Sequence, residues 1–309
     1  MKVFLTGATG YIGSVVAEKL LAKGHQVIGL ARNEAAENKL REMGIEPWRG
    51  DLKNVESLKR GASIADAVIH TAFIFDFSDL DGSFKTEREA IAAFGDALAN
   101  TNKPFIATSG VLLLGDTKDV EADEDFPYDQ NSPFFPRAES DEDALKMAQE
   151  GVRSIVLRFP MVYGRGGSSG MQILLEQAKA AGAANYVGDG ANRVSAIHVE
   201  DAADLYVLAL ETSTAKGFYH DSAETISLKD LSEAIARLLN VEAKSVSTQE
   251  AQKQYGAMSV FFTINGRLSA EKARRELGWE PKAKTTITDD IENGSYWNYK
   301  EQKTKAFTK

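Results

Sequence analysis

Continuous apolar runs alternate with helical patterns along the first half of the chain. The opening run "MKVFLT" ends at a glycine turn, and the next segment places Val15, Val16 and Leu20 on one face of a helix that closes at Gly24. Further runs, each after a helical segment, are "HQVIGLA", "IEPWRGD", "DAVIHTA", "PFIATSG" and "GVRSIVLRFPMVYG". Because these runs are apolar throughout, they predict strands of a parallel sheet that is covered on both faces. The pattern therefore predicts a doubly wound α/β domain, the Rossmann fold, over residues 1–164.

The alternation loosens after residue 164. Helical patterns are expected at about 168–181, 199–211, 227–239, 248–256 and 269–277, with the short strands "ANYVG", "VSAIH" and "GFYHD" between them. We therefore expect residues 165–309 to form a smaller α+β lobe on the substrate side. This lobe should pack against the first domain and be partly interleaved with it. The polar end, "KEQKTKAFTK", is expected to fray.

Composition and charge narrow the classes of function. The 309 residues are 43% hydrophobic, carry a net charge of −9 and show no basic stripe, which argues against nucleic-acid binding. The absence of cysteine excludes disulfides, thiolate catalysis and cysteine-based metal sites, and the four histidines are not spaced as a metal pair. No apolar run approaches the roughly 20 residues that a membrane span needs. We expect a cytoplasmic protein that contacts neither membrane nor nucleic acid and holds no metal.

The loop "TGATGYIG" is the strongest chemical signal. Gly7 permits a tight turn, Gly10 lets the backbone approach a pyrophosphate, and Gly13 lets the following helix pack closely on the strand. Free amides and the helix dipole at the N-terminus of that helix favour phosphate. Since strand, loop, helix and second strand come in order, a dinucleotide site is favoured over a purely structural turn. The loop residues expected to contact the cofactor are Thr6, Gly7, Thr9, Gly10, Tyr11, Ile12 and Gly13.

The end of the second strand, "GLARN", bears on the choice of cofactor. NAD sites usually place an acid about 20 residues beyond the loop, whereas Ala31 and Arg32 stand there in this chain. An arginine can pair with a 2′-phosphate that an acid would repel. Arg32 therefore predicts NADP as the cofactor, with NAD possible. The alternative is a surface arginine near a strand end.

Several motifs together resemble a known family. They are "TGATGYIG", "GDL", "AVIHTAF", "TSG", "RFPMVYG", "GDGANR", "HVEDAA" and "ELGWEP". Over about residues 1–297 the chain is similar to the extended short-chain dehydrogenase/reductases. It looks most like an atypical branch of the NAD-dependent epimerase/dehydratase-like proteins.

The resemblance assigns further roles around the cofactor and the substrate. Asp51 and Leu52 would flank the adenine, although Asp51 could simply be a turn residue at a strand end. In relatives that use sugar nucleotides, an arginine in the place of Arg193 binds the diphosphate of the substrate; here it could instead pair with Asp189 or Asp201. Thr71, Ala72 and Phe73 would line the ribose and diphosphate, and Ser109, Pro160, Met161 and Val162 would lie beside the nicotinamide.

The stretch "PRAESDEDAL" departs from the family pattern. Active relatives carry a tyrosine and, four residues later, a lysine at this helix start, where Arg137 and Asp141 stand in this chain. Arginine stays protonated and is a poor general acid, and aspartate cannot stabilise a phenolate. The two could form an i,i+4 ion pair, with Ser140 and Asp143 making a start like a capping box. Arg137 could also bind an anionic group of the substrate.

Other side chains could supply the proton. Tyr163 could approach the nicotinamide, Tyr128 could fold over the site from a loop, and Ser109 could position a carbonyl. Lys146 lies two turns into the helix. We take Ser109 and Tyr163 as the catalytic candidates.

These observations leave three functions open. The first is an NADP-dependent oxidoreductase or epimerase/dehydratase acting on a small carbonyl, hydroxyl or sugar-like substrate. The second is a non-catalytic NADP-binding sensor or regulatory protein, and the third is a structural subunit that keeps NADP for stability. The resemblance implies either a monomer or a homodimer formed through the helices at 82–100 and 137–150.

Overall fold

The structure, a computed structural model, describes residues 1–76 and 78–300. Its strands are β1 (Lys2–Thr6), β2 (Gln26–Ala31), β3 (Glu46–Arg49), β4 (Ala67–His70), β5 (Pro104–Gly110), β6 (Arg153–Phe159), β7 (Met161–Tyr163), β8 (Ala183–Val187), β9 (Arg193–His198), β10 (Gly217–His220), β11 (Glu224–Ser227) and β12 (Glu242–Val246). Its α-helices are α1 (Tyr11–Ala22), α2 (Glu34–Glu42), α3 (Val55–Ser63), α4 (Leu80–Leu98), α5 (Ala138–Lys146), α6 (Ser169–Ala181), α7 (Val199–Glu211), α8 (Leu228–Leu239), α9 (Thr248–Tyr255), α10 (Glu271–Leu277) and α11 (Ile287–Asn293).

The main sheet is parallel, with the strand order β10-β6-β5-β4-β1-β2-β3. Strand β1 has β2 on one side and β4 on the other, so the chain reverses its direction of winding at β1. Ligands of doubly wound sheets bind in the crevice at such a reversal, beyond the carboxyl ends of the strands. The topology therefore points to the region just after Thr6 and His70.

Apolar layers cover both faces of this sheet. On one face, Val16 of α1 and Leu205 of α7 are fully buried in one cluster with strand residues such as Ile69. On the other face, Leu58 of α3 and Phe94 of α4 belong to a second cluster. These helices pack on the sheet because their apolar residues recur at helical spacing, which gives each helix one apolar face to bury.

The second half builds a smaller lobe around its own core. Its sheets have the orders β11-β9-β7 and β12-β8, and α6, α8 and α11 pack on them. Strand β7 follows β6 after a single residue, Pro160, and pairs with β9 in the lobe. The step from β6 to β7 therefore carries the chain from the main sheet into the lobe, and it leaves residues of both beside one crevice.

The doubly wound fold predicted from the sequence is confirmed, with two differences in detail. The five helices predicted after residue 164 correspond to α6 through α10 within two residues at each end. Strand β10, expected in the lobe, instead pairs with β6 as the edge of the main sheet, and α11 had no counterpart in the prediction. A short apolar run predicts a strand but does not indicate which strand it pairs with. The main sheet therefore includes residues 217–220, beyond the boundary that the sequence predicts at residue 164.

None of the helices in the described part of the chain is both long and apolar enough to cross a membrane.

Candidate active site

The glycine loop between β1 and α1 is shaped by close backbone packing. Gly7 has φ +76°, and a Cβ there would lie 2.5 Å from Oγ1 of Thr71. A Cβ at Gly13 would lie 2.2 Å from the carbonyl oxygen of Gly7. At Gly10 the one atom within 4 Å of such a Cβ would be that same carbonyl oxygen, at 3.1 Å. Gly7 and Gly13 are thus required by the packing, while Gly10 leaves its side of the loop open.

The start of α1 has the properties of an anion site. Its N-cap residue is Gly10, no side chain caps it, and its first turn carries no acid. The first amides of a helix have no acceptor within the helix, so those of Tyr11 and Ile12 can meet a phosphate. Lys39 of α2 adds a cation, since its Nζ donates to the carbonyl oxygen of Thr9 at 2.8 Å. The loop therefore fits the diphosphate of a dinucleotide.

Thr6 and Thr71 tie the ends of β1 and β4 together beneath this loop. Oγ1 of Thr71 donates to the carbonyl oxygen of Thr6 at 2.8 Å, and the amide of Ala72 donates to Oγ1 of Thr6 at 3.3 Å. That Oγ1 also lies 2.7 Å from Nδ1 of His70. Burial lowers the pKa of His70 to about 3, with the charge of Arg137 acting in the same direction, so the ring is neutral. These hydroxyls hold the loop in place.

The residues expected near the adenosine follow β2 and β3. Arg32 is exposed directly after β2, and within the described residues it makes no hydrogen bond or ion pair. The Asp51 carboxylate accepts the amide of Lys53 at 2.9 Å, as a turn residue does. Leu52 is 8% exposed and packs into the core. Of these three side chains, Arg32 has its charged end available to a ligand.

A cavity of about 290 Å³ lies between the glycine loop, the carboxyl ends of β5 and β6, and the lobe. From the main domain it is lined by Tyr11, Ile12, Phe75, Thr108, Ser109, Gly110, Val111, Leu112, Phe159, Pro160, Met161 and Val162. From the lobe it is lined by Ser168, Gly170, Ile173, Leu174, Gln177, Met258, Phe261 and Phe262. None of these residues is charged. The expected nicotinamide neighbours Ser109, Pro160, Met161 and Val162 thus meet at one apolar cavity beside the loop.

Ser109 connects this cavity to buried charges. Its Oγ donates to Oδ2 of Asp141 at 2.8 Å. The same oxygen accepts the hydroxyl of Tyr128 and Nη2 of Arg158, each at 3.3 Å. Asp141 and Arg158 are 3% and 1% exposed. Burial raises the pKa of the Asp141 carboxyl, while Arg158 and Arg137 act to lower it.

Sequence comparison agrees with the fold and the loop. Residues 3–220 match the model of the NAD dependent epimerase/dehydratase family. The chain belongs to this family.

Two relatives and one solved structure illustrate what the chain is similar to. An uncharacterized protein of Saccharomyces cerevisiae is 39% identical over 288 residues, covering 91% of this chain and 95% of that protein. A 2-alkyl-3-oxoalkanoate reductase of Stenotrophomonas maltophilia is 26% identical, covering 75% of this chain and 73% of its own. The crystal structure of a dTDP-glucose 4,6-dehydratase from Streptomyces venezuelae, with NAD bound, superposes with a TM-score of 0.78 at 20% identity and covers 97% of each chain.

At the position where the resemblance leads one to expect a tyrosine, Arg137 forms a largely buried ion pair. Its Nε and Nη2 donate to the carboxylate of Glu87 on α4 at 2.9–3.2 Å, and Nη2 also donates to the carbonyl oxygen of Thr108 at 2.9 Å. The guanidinium lies over the ring of Phe73, 4.4 Å from its centre. Nε and Nη2 are thus engaged in the protein, and Arg137 is absent from the lining of the cavity.

Two expectations for the "PRAESDEDAL" stretch are wrong. Arg137 pairs with Glu87 and not with Asp141 four residues later, and Ser140 does not cap the helix. A 3₁₀ turn at Phe135–Arg137 runs directly into α5, which puts Ser140 inside the first turn, buried and without a hydrogen-bond partner for its Oγ among the described residues. Ser140 and Asp141 face the protein interior while Glu139 and Glu142 are exposed, a division that the spacing of the acids along the sequence does not reveal.

Tyr163 and Arg193 lie outside the cavity. The Tyr163 hydroxyl lies 2.7 Å from Oε1 of Glu224 and 2.7 Å from the carbonyl oxygen of Thr285, and it can donate to either. Arg193 is exposed at the start of β9 and donates to the carbonyl oxygen of Thr225 at 3.3 Å. The structure thus brings Ser109 to the cavity wall and leaves the other catalytic candidate buried in the lobe.

Sequence reasoning missed Arg158, although the run "IVLRF" held a signal. A charged residue within a run predicted to be buried needs a buried counter-ion. Asp141 is that counter-ion, and Nη1 of Arg158 also contacts Nε2 of His220 at 2.8 Å. The lobe residues of the cavity, such as Met258 and Phe262, carry no comparable signal because their position depends on how the lobe packs.

Proposed function

We propose that this protein binds NADP and reduces an apolar ketone or aldehyde, or oxidises the matching alcohol. The observation that carries the proposal is the uncharged cavity, which joins the start of α1 to Ser109. Apolar pockets with a few placed polar groups are the usual form of small-molecule sites. The coenzyme, when bound, supplies or accepts a hydride.

The cofactor side of the proposal rests on three parts of the chain. The free first-turn amides of α1 would hold the diphosphate, and Arg32 would pair with the 2′-phosphate that distinguishes NADP. Asp51 and Leu52 would lie at the adenine. Pro160 and Val162, which line the cavity, would support the nicotinamide.

The substrate side favours an apolar compound over a sugar nucleotide or an anion. A nucleotide diphosphate needs a cation, and neither arginine considered for that role lines the cavity: Arg137 pairs with Glu87, and Arg193 lies at an exposed strand end. Carbonyl groups of an apolar molecule need only one or two donors, which Ser109 and its neighbours can offer. The relative named as a 2-alkyl-3-oxoalkanoate reductase acts, by its name, on an oxo compound with alkyl chains. That compound also carries a carboxylate, so the name supports the oxo group and the alkyl chains and not the absence of charge.

A second candidate is a non-catalytic NADP-binding sensor. The observation in its favour is that Arg137 and Asp141 replace the tyrosine and lysine of the family, and each is held in a buried ion pair. This candidate requires binding of the coenzyme without turnover.

One experiment separates the candidates. Binding of NADPH and NADH is first measured by fluorescence. NADPH absorbance is then followed with medium-chain aldehydes and medium-chain methyl ketones. Conversion of dTDP-glucose and UDP-glucose, which consumes no NADPH, is followed by chromatography in the presence of the oxidised coenzyme. Reduction of the apolar carbonyls supports the proposal, and binding without turnover over the whole panel favours the sensor. Turnover of the sugar nucleotides alone contradicts the proposed substrate class.

A matched pair of variants tests the role of the cavity itself. Ile173→Glu places a charge in the cavity wall and should raise KM for the apolar carbonyls at least about tenfold, because burying an unpaired charge is costly. Val120→Glu introduces the same charged side chain at a site that is 55% exposed and outside the cavity, and this variant should leave KM unchanged. Equal KM values for the two variants would place the substrate elsewhere.

A further inference from the structure

We propose that Ser109 delivers the proton to the substrate oxygen, with Asp141 behind it and Tyr128 as the connection to solvent. This relay would take over the work of the missing tyrosine and lysine. It rests on the proposed function and names the groups that complete it.

The geometry forms a continuous path. Ser109 lines the cavity, and its Oγ is 2.8 Å from Oδ2 of Asp141. That oxygen is 3.3 Å from the hydroxyl of Tyr128, a partly buried residue of the loop that precedes α5. Serine, carboxyl and tyrosine are thus linked by hydrogen bonds, with the buried carboxyl in the middle. In the ionised carboxyl, Ser109 is the donor to Oδ2. Once Oδ2 is protonated, the bond runs from Asp141 to Oγ, which leaves the Ser109 proton to be donated to a molecule in the cavity.

Asp141 is placed so that both its protonation states are accessible. It is 3% exposed, which favours the neutral acid, and Arg158 at 3.3 Å stabilises the carboxylate after the proton has left. Arg158 is itself fixed, by His220 at 2.8 Å and by the ring of Phe218, 4.4 Å from its guanidinium carbon. A buried acid with a fixed counter-ion can release and regain a proton without rearrangement.

The other charges around Asp141 offset each other. Arg137, before α5, lowers its pKa, and Glu87 of α4 raises it. These two side chains form their own ion pair, so the effect of either is reduced. His220, beyond Arg158, is buried, and its pKa is lowered to about 3, so its ring adds no charge at neutral pH. The pKa of Asp141 therefore depends mainly on two opposed effects: burial raises it, and the charge of Arg158 lowers it.

The reaction balances with the reduced nicotinamide coenzyme as reductant. The carbonyl carbon gains a hydride, and the carbonyl oxygen forms an O–H bond with the proton of Ser109 Oγ. As that Oγ–H bond breaks, Oγ takes the proton of the Asp141 carboxyl. The carboxylate is reprotonated from solvent through the Tyr128 hydroxyl, which passes on one proton and receives another. Alcohol oxidation runs the same steps in reverse.

The kinetic test uses NADPH with octanal and 2-octanone. Ser109→Ala should lower kcat about 10²- to 10⁴-fold, the usual contribution of a general acid, while Kd for NADPH stays within about twofold. Tyr128→Phe should lower kcat less and shift its pH profile. Ser140→Ala is the control, because it removes a buried serine hydroxyl beside Asp141 that has no partner within the described residues. Full kcat in Ser109→Ala would overturn the proposal.

Asp141→Asn isolates the carboxyl but leaves Arg158 buried without its counter-ion and could fail to fold. Ser109→Thr is therefore the second variant: it keeps a hydroxyl and should restore at least a tenth of kcat. In the wild type kcat should fall at high pH as Asp141 loses its proton, and a folded Asp141→Asn should lack that limb. An unchanged pH profile in Asp141→Asn would contradict the relay.

A readout without turnover uses infrared spectroscopy of the coenzyme-free protein. The wild type should show the C=O band of a protonated carboxyl that is absent from Asp141→Asn and shifted in Ser109→Ala, because its hydrogen bond is lost. Because the buried carboxyl of Asp221 also keeps its proton and gives a band of its own, the band of Asp141 is read from the difference between the wild type and Asp141→Asn. A difference spectrum without this band at any pH at which both proteins fold would overturn the relay. If NADPH binds but no carbonyl is reduced, the proposed function fails, and this band still decides whether Asp141 holds a proton against Ser109.

Discussion

At the scale of single residues, Arg32 should decide which coenzyme binds. It is exposed after β2 with its guanidinium available, and a charge-assisted pair with a 2′-phosphate contributes about 1.5–3 kcal/mol. Arg32→Ala should therefore weaken NADPH binding about ten- to a hundredfold and leave NADH binding nearly unchanged, as measured by fluorescence titration. Arg41→Ala, an exposed arginine of α2 paired with Glu37, is the control. Equal losses for both coenzymes would contradict the assignment.

Arg137 should behave as a structural residue. Arg137→Ala leaves Glu87 buried without a counter-ion, because their side chains are 15% and 5% exposed, and such a loss costs about 3–5 kcal/mol. The free energy of unfolding, measured with denaturant, should fall by that amount. Replacing both partners, with Arg137→Met and Glu87→Leu, should recover most of it, since apolar residues can fill a buried ion-pair site. A stable Arg137→Ala with weakened substrate affinity would restore the substrate-binding interpretation.

The sequence predicted which residues lie near this site better than it predicted what those residues bind. Gly7 and Gly13 were readable because their roles follow from local backbone geometry. The partners of Arg137 and Asp141 were not, because Glu87 and Arg158 come from α4 and β6, far away in the sequence. A spacing of four residues suggested a pair between Arg137 and Asp141, but Asp141 is buried against Arg158 of β6 and Arg137 against Glu87 of α4.

At the scale of elements, the contact between β1, its loop and α1 should tolerate no side chain at Gly13. A Cβ there would lie 2.2 Å from the Gly7 carbonyl oxygen, so α1 would have to move away from the strand. Gly13→Ala should destabilise the protein by at least about 1–3 kcal/mol, the usual range for overpacking, and weaken coenzyme binding. Thermal unfolding and NADPH titration measure the two effects.

Gly95, inside α4, provides the matched control for that change. A Cβ there would be 3.4 Å or more from Met147, which is ordinary contact. Gly95→Ala should be neutral or add about 0.5–1 kcal/mol, because alanine favours helix more than glycine does. A destabilisation as large as that of Gly13→Ala would mean that the loop contact is not the cause.

Helices with regularly spaced apolar residues were predictable from the sequence, whereas the neighbour that a strand pairs with was not. The helices α6 to α10 follow from apolar spacing alone, which is a property of each segment. Strand β10 joins the main sheet because β6 offers it an open edge after β5 has taken the other one. That choice depends on the packed lobe, so residues 217–220 gave no sign of it.

At the scale of the whole molecule, the two halves meet around the cavity. The main sheet provides one wall of the cavity through Ser109 of β5 and Phe159 of β6, and the lobe covers it with Leu174 and Phe262. Because β7 belongs to the lobe sheet and directly follows β6, the two halves are tied together at the cavity itself. The shape of the substrate site therefore depends on the assembled fold. For this reason no local sequence motif predicts that the cavity is apolar.

The buried carboxyl of Asp221 should make the stability of the whole fold depend on pH. It is 0% exposed, and neither oxygen has a hydrogen-bond partner among the described residues. Burial, and then the charge of Asp201, raise its pKa well above the ordinary 3.8. Above pH 3.8 the unfolded chain releases this proton while the folded protein retains it. The free energy of unfolding thus falls by about 1.4 kcal/mol per pH unit until the folded-state pKa is reached.

Asp221→Asn removes this titration while keeping the shape of the side chain. The variant should match the wild type near pH 4 and become the more stable of the two as pH rises toward 7, in denaturant titrations at each pH. Asp119→Asn, at an exposed position in the loop that follows β5, is the control and should leave the free energy of unfolding nearly unchanged. If Asp221→Asn were instead less stable than the wild type at pH 7, Asp221 would have to be ionised in the folded protein. The carboxylate would then need a buried cation beside it, and the packing around β10 would differ from that described above.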